Sequence, residues 1–321
     1  MEECVEDEPP NKTPFFRARK MERVLNFKRL FVKYEGGGVT GTQKDRISKY
    51  HVMRARELGY DTVSLGSCGN YGASLAYFAG EYGMNSVIGV PSSYSGDRLS
   101  EIRSYGGNII ELPMKYEEVV EHMRQKAADE NWYDSNPGNS NSELDFHGYS
   151  QIASEIVSQL GRCPEFISVP VGNGTTITGI YRGFRLLREA GLTDSVPRLI
   201  AASTEGGNPV VRSWRRGYRK IQNLGPLDIR ETSINEPLVS YVSYDGQAAL
   251  DSIYESNGFA FEVPDTEMMR YSQLLMVHEN LDALPASSSA VVAANRVAQM
   301  LNRKIDCVVI ITGKGKTWKM Q

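Results

Sequence analysis

The chain has 321 residues, 40% hydrophobic and 23% charged, with 36 basic against 39 acidic side chains and a formal charge of −3. At about 150 residues per domain this length suggests two domains and a large core, which excludes a disordered chain, a collagen and a small disulfide scaffold. The near-neutral balance argues against a nucleic-acid or anionic-membrane binder, which needs a basic excess.

The first ten residues, MEECVEDEPP, are acidic and have no apolar core, so they read as a solvated tail, expected to run to Pro14, rather than a secretory signal. Apolar, β-branched runs follow at 29–34 (RLFVKY), 62–66 (TVSLG), 86–90 (SVIGV), 108–112 (NIIEL), 166–171 (FISVPV), 199–203 (LIAAS) and 307–311 (CVVII). Their lack of polar alternation predicts parallel strands covered on both faces. The segments between them have helical length, and 287–301, rich in Ala and Val, reads as a buried helix. Three strand–helix repeats are expected between residues 59 and 132, followed by a polar crossing at 135–142; the stretch 214–251 reads only as mixed helix and loop. No apolar run is long enough to span a bilayer. Cys4, Cys68, Cys163 and Cys307 form no C-x-x-C pair, so no metal is expected and a reducing, cytoplasmic setting is the simplest reading.

Ligands in α/β sheets bind beyond the carboxyl ends of strands, where helices present free N–H groups. Three strand ends are unusual. Residues 66–72 (GSCGNYG) lead from a strand into a helix and suit a carboxylate or phosphate, or form an ordinary tight turn. Residues 170–176 (PVGNGTT) offer glycines and two Thr hydroxyls to a phosphate; the next glycine, Gly179, comes two positions too late for a dinucleotide fingerprint. Residues 312–317 (TGKGKT) resemble the end of a P-loop, but Ile310 stands where its first glycine is required and too little chain follows for its helix. Within 41–46 (GTQKDR), Lys44 falls at a helix start, where the dipole disfavours its charged form. A neutral amine there can form a Schiff base; a solvated surface lysine is the plainer alternative. The four histidines, His51, His122, His147 and His278, are dispersed and read as structural or exposed. The basic-aromatic run 212–220 (RSWRRGYRK) reads as a solvated helix.

In this order, the lysine in GTQKDR, the S-x-G-N loop, the V-G-N-G loop and the terminal T-G-x-G resemble the fold type II pyridoxal-phosphate enzymes, the tryptophan synthase β-like superfamily. Within it, 169–184, 285–294 and 308–316 look most like threonine synthase, as does the Asn136–Pro137 pair. The resemblance implies two open twisted sheets flanked by helices, with pyridoxal 5′-phosphate between a larger domain (1–53 and 147–321) and a smaller mobile one (54–146). It implies that Lys44 carries the cofactor and then acts as the base at Cα and Cβ. Asn70 would bond the ring hydroxyl, Gly172, Asn173, Gly174, Thr175 and Thr176 would cradle the phosphate, and Thr312 would face the pyridine nitrogen. Ser67, Cys68, Gly69 and Tyr71 would receive the substrate carboxylate. The implied reaction is phosphate elimination from O-phosphohomoserine with water addition, by a homodimer.

The sequence departs from the family pattern in several places, one of them the lack of the usual extension after the last motif. Gly38, Val39 and Thr40 replace N-P-T, Gln43 replaces Phe, Lys314 replaces the His of T-G-H-G, and 138–151 holds no Arg or Lys where threonine synthases commonly carry an Arg. The last departure keeps an alternative open: β-replacement or β-elimination on serine-like substrates, as in a cysteine or cysteate synthase or a threonine or serine dehydratase. A relative that binds the cofactor without catalysis, and more distantly a nicotinamide-dependent dehydrogenase, are the rivals from other classes.

Overall fold

The computed structural model describes residues 12–25, 27–67, 69–94 and 98–315; Cys4, Cys68 and the end of the 312–317 motif lie outside them. The strands are β1 (Phe15–Arg17), β2 (Arg29–Tyr34), β3 (Thr62–Gly66), β4 (Asn85–Pro91), β5 (Asn108–Leu112), β6 (Tyr133–Asp134), β7 (Phe166–Pro170), β8 (Arg198–Thr204), β9 (Phe259–Val263) and β10 (Asp306–Ile311). The α-helices are α1 (Arg19–Leu25), α2 (Asp45–Glu57), α3 (Asn70–Glu81), α4 (Arg98–Ser104), α5 (Tyr116–Asp129), α6 (Ser142–Leu160), α7 (Thr175–Glu189), α8 (Pro209–Arg215), α9 (Gly246–Glu255), α10 (Asp265–Glu279) and α11 (Pro285–Met300).

Two open sheets result. One has six strands in the order β1-β2-β10-β7-β8-β9, the other four in the order β5-β4-β3-β6. Every pairing is parallel except β1 with β2. The apolar runs become strands for the expected reason: β7 and β10 are buried at every position, with helices on both faces. α11 is almost wholly buried against the six-stranded sheet, which its small residues permit. The three strand–helix repeats are β3–α3, β4–α4 and β5–α5.

Gly179 and Gly183 serve packing. A Cβ on Gly179 would lie 2.6 Å from Tyr149 Cβ, and one on Gly183 would lie 2.5 Å from the Ser150 carbonyl oxygen. Spaced four apart on α7, they let it press directly on α6, so the glycine that broke the dinucleotide spacing answers to a neighbouring helix.

The structure corrects two expectations. The solvated tail stops short of Pro14: Thr13 is buried and donates from its hydroxyl to Glu35 at 2.7 Å, while the Tyr34 N–H donates to the Pro14 carbonyl at 2.9 Å. The helix expected over 212–220 ends at Arg215, and Gly217 follows in a left-handed turn with φ 74°. From 216 to 245 the chain runs as turns and loop between α8 and α9.

Candidate active site

The carboxyl ends of β3, β7 and β10 open onto one cavity. Lys44, Ser67, Gly69, Asn70, Tyr71 and Thr312 line it, together with the whole 170–176 loop. Every candidate residue within the described chain therefore meets there, and Cys68 alone lies outside the description.

Lys44 stands immediately before α2. Its turn is braced twice by the last strand end: Gln43 N–H donates to the Thr312 carbonyl at 2.9 Å, and Lys314 N–H to the Gly41 carbonyl at 2.8 Å. Residues 312–314 thereby support the lysine turn. On the other side Asp45 accepts from Thr40 N–H at 2.9 Å, from the Thr40 hydroxyl, and from Ser74 of α3 at 2.8 Å. Arg46 is buried between Glu35 and Glu155, and Lys33 completes the cluster through Glu155. Two acids and two bases thereby fix the start of α2 against β2 and α6, a paired arrangement that a buried charge requires.

Lys44 Nζ has no hydrogen bond and no ion-pair partner among the described residues. It sits 4.9 Å from the centroid of the Tyr71 ring and 6.0 Å from that of Tyr149. Burial pushes its pKa below the ordinary lysine value, opposed by the charges of Asp145 and Asp245. A solvated surface lysine is excluded by this environment.

The 170–176 loop ends at the N-terminus of α7, whose first N–H groups have no partner within the helix. Gly174 adopts φ 92°, and a Cβ there would lie 2.8 Å from Ala249 Cβ. Thr175 donates from its hydroxyl to Asp245 at 2.6 Å, and both Thr175 and Thr176 line the cavity. Asp245 also accepts from Ser142 at 2.5 Å, so this acid is occupied behind the loop. Asn173 Oδ1 is buried without a partner.

In the 66–72 loop, Ser67 Oγ accepts from the N–H groups of Gly69 at 3.1 Å and Gly72 at 3.0 Å. That pins the turn and leaves the N–H groups of Asn70 and Tyr71 at the helix start. Asn70 Oδ1 accepts from Arg98 Nε at 2.9 Å, which leaves its amide NH₂ as a donor. The ring of Tyr71 stands under Lys44, so its contribution to the loop is its backbone N–H. Thr312 Oγ1 is 2.7 Å from Ser287 Oγ of α11, a hydroxyl pair at the cavity floor.

Several residues of this surround escaped the sequence reading. Asp145 accepts from or donates to His51 Nε2 at 2.9 Å, with its Oδ2 unpartnered, and both side chains are fully buried. Asp245, Tyr149 and the cavity wall 236–240 carried no motif, and only long-range contact reveals them.

The donor set fits pyridoxal phosphate. An unpaired amine can take an aldehyde, a glycine cradle at a helix start suits a phosphate, and a hydroxyl on the floor suits a pyridine nitrogen. These features define a protein built to hold a phosphorylated aldehyde cofactor through a lysine. A family model described as pyridoxal-phosphate dependent enzyme matches residues 7–313, and the chain belongs to that family. It is similar to the threonine synthase of Methanocaldococcus jannaschii, 30% identical over 312 residues that cover 94% of this chain and 74% of that one. It is likewise 30% identical over 310 residues to the threonine synthase of Methanosarcina acetivorans, with the same coverage. Among solved structures, processed threonine deaminase isoform 2 from Solanum lycopersicum superposes with a TM-score of 0.79 at 16% identity, over 96% of this chain and 85% of that one. Maize serine racemase gives 0.78 at 17%, over 96% and 91%. The fold is that of the fold type II enzymes, the cofactor is pyridoxal phosphate, and the protein is a pyridoxal-phosphate-dependent lyase. No helix among the described residues is long and apolar enough to cross a membrane.

Proposed function

We propose that the chain eliminates phosphate from O-phosphohomoserine and adds water at Cβ, giving threonine and phosphate. The observation that carries this reading is Lys44, an amine with no ion-pair partner, sharing one cavity with two donor loops. Similarity to threonine synthases along nearly the whole chain supports the substrate.

The bound cofactor supplies an electron sink that acidifies protons at Cα and Cβ. Lys44 then removes and returns those protons; its depressed pKa keeps a neutral amine available. The N–H groups of Asn70 and Tyr71 receive the substrate carboxylate, in the turn that Ser67 and Gly69 shape; Cys68, assigned to the same loop, lies outside the described residues. Asn70 holds the ring hydroxyl through its NH₂, and Arg98 fixes that orientation. Gly172, Asn173, Gly174, Thr175 and Thr176 would hold the cofactor phosphate, and the Thr312 hydroxyl would serve the pyridine nitrogen. Residues 54–146 form the smaller domain, which closes on the larger one (1–53 and 147–321) and excludes water. The enzyme works as a cytoplasmic homodimer on a small amino-acid substrate.

One observation favours the second reading, elimination or replacement on serine-like substrates: Lys44 is the only Lys or Arg among the residues lining the cavity. The visible spectrum of the holoenzyme before and after adding O-phospho-L-homoserine separates the two. A shifted band with phosphate release supports threonine formation. A band that moves only with serine derivatives selects the second reading, and a band that no amino acid moves leaves a cofactor binder without catalysis.

A further inference from the structure

The cavity around Lys44 continues outward into a wider cleft that shares Asn70, Tyr116 and Glu117 with it. Two cations stand in this cleft on either side of Gly41. A Cβ placed on Gly41 would lie 3.5 Å from Lys314 Cβ and 4.0 Å from Arg98 Nη2. Gly41 has φ 77°, and its lack of a side chain leaves the space between the two open.

Arg98 is held in place. Its Nε donates to Asn70, and its Nη1 donates to the Thr40 carbonyl at 3.0 Å and pairs with Glu101. Nη2 makes no hydrogen bond among the described residues, although the side chain is only 15% exposed. Lys314 is fixed by its backbone to Gly41, and its ammonium has no ion-pair partner among the described residues. The acids of the cleft are placed differently. Glu101 is paired with Arg98 Nη1, Glu117 accepts the Tyr241 N–H at 3.0 Å, and Glu231 and Glu236 belong to the 216–245 segment, where they line the inner cavity as well as the cleft. Lys115, the remaining cation, donates to the Pro226 carbonyl at 3.2 Å. An oxyanion entering the cleft is repelled by the carboxylates of the loop wall and meets Arg98 and Lys314 beside Gly41.

We infer that Arg98 and Lys314 receive the leaving-group phosphate of the substrate. The inference rests on the threonine-forming reading and names its specificity determinants. It also joins two departures of the sequence: 138–151 lacks a basic residue, and 314 gains one. Arg98 touches Asn70, so the anion it binds is one hydrogen bond from the loop assigned to the substrate carboxylate. The two N–H bonds of Nη2 and an exposed ammonium together suit a phosphate dianion.

The test measures binding to the holoenzyme of 2-amino-5-phosphonopentanoate, a non-cleavable analogue of O-phosphohomoserine, and of norvaline, which lacks the phosphonate. The wild type should prefer the phosphonate. Lys314→Met and Arg98→Met should each weaken the phosphonate by roughly tenfold or more. Norvaline affinity should be unchanged in Lys314→Met, and Arg98→Lys should recover part of the loss. Equal weakening of both ligands in Lys314→Met, or unchanged phosphonate binding, would overturn the assignment. The reaction reading fails separately: a wild type that binds the phosphonate through these residues yet releases no phosphate from O-phospho-L-homoserine keeps the anion site and loses the reaction. Turnover of that substrate with phosphonate binding untouched by either variant loses the anion site alone.

Discussion

The two donor loops that face Lys44 are built on different terms. The 170–176 loop is locked from behind: Gly174 has no room for a side chain, Thr175 is tied to Asp245, and Asp245 is itself held by Ser142. The 66–72 loop is anchored at its start, where Gly66 N–H donates to Asn136 Oδ1 at 2.8 Å and Ser67 N–H to the Gly89 carbonyl at 2.9 Å, and beyond that by Ser67 Oγ and by Arg98 reaching across from α4. The first suits a group that stays through every turnover. The second reaches the outer cleft through Asn70 and Arg98, and suits one that arrives and leaves. The proposed roles give the first loop to the cofactor and the second to the substrate, with Lys44 in the same cavity.

Removing the residue between the loops has the largest effect. Lys44→Ala should lower turnover by at least about a hundredfold, the usual scale for losing a positioned proton carrier. Stopped assays with O-phospho-L-homoserine and phosphate detection measure it, and full turnover in this variant would refute the mechanism.

The locked loop comes next. Gly174→Ala places a side chain in a left-handed conformation against Ala249, at a cost of about 1–3 kcal/mol. Equilibrium dialysis of pyridoxal phosphate should show an affinity loss of roughly tenfold or more, with a lower midpoint of thermal unfolding. An affinity equal to wild type would mean that the loop is not the phosphate cradle.

The locally held loop should respond more gently and in a different parameter. Ser67→Ala leaves the Gly69 and Gly72 N–H groups without their acceptor, worth about 1 kcal/mol. KM should rise about fivefold with the cofactor still bound at wild-type affinity. If cofactor affinity falls instead, the division between the loops is wrong.

The smallest effect is a shift along the pH axis. Burial lowers the Lys44 pKa, so its neutral, reactive form appears at lower pH than in a free lysine, whose ordinary value is 10.5. The rate at which apoenzyme takes up pyridoxal phosphate should therefore reach its plateau below that pH. A rate still climbing through 10.5 would place Lys44 in solvent.

Much of this was legible in the sequence. Strands buried on both faces are apolar runs, so β3, β4, β7, β8 and β10 were readable, as were the loops at their ends; β2 and β5 were readable from the same composition, although β5 is an edge strand with no buried residue and not the covered strand expected. The strands that escaped are of another kind: β1 and β6 have three and two residues, and β9 is a half-buried FAFEV edge. The polar surround was harder. Asp245 comes from a segment of turns and loop, and its partner Ser142 is 103 residues away. Asp145 meets His51 across 94 residues. No spacing rule links such pairs, because tertiary packing alone brings them together. Arg98 was invisible for the same reason: its neighbours Asn70 and Thr40 lie on separate segments.

The central claim is that Lys44 carries the cofactor. Borohydride reduction of the holoenzyme, followed by mass mapping of the modified peptide, tests it without relying on turnover. The account predicts a phosphopyridoxyl group on Lys44 alone. A label on another lysine, or no label after cofactor has been supplied, would contradict it.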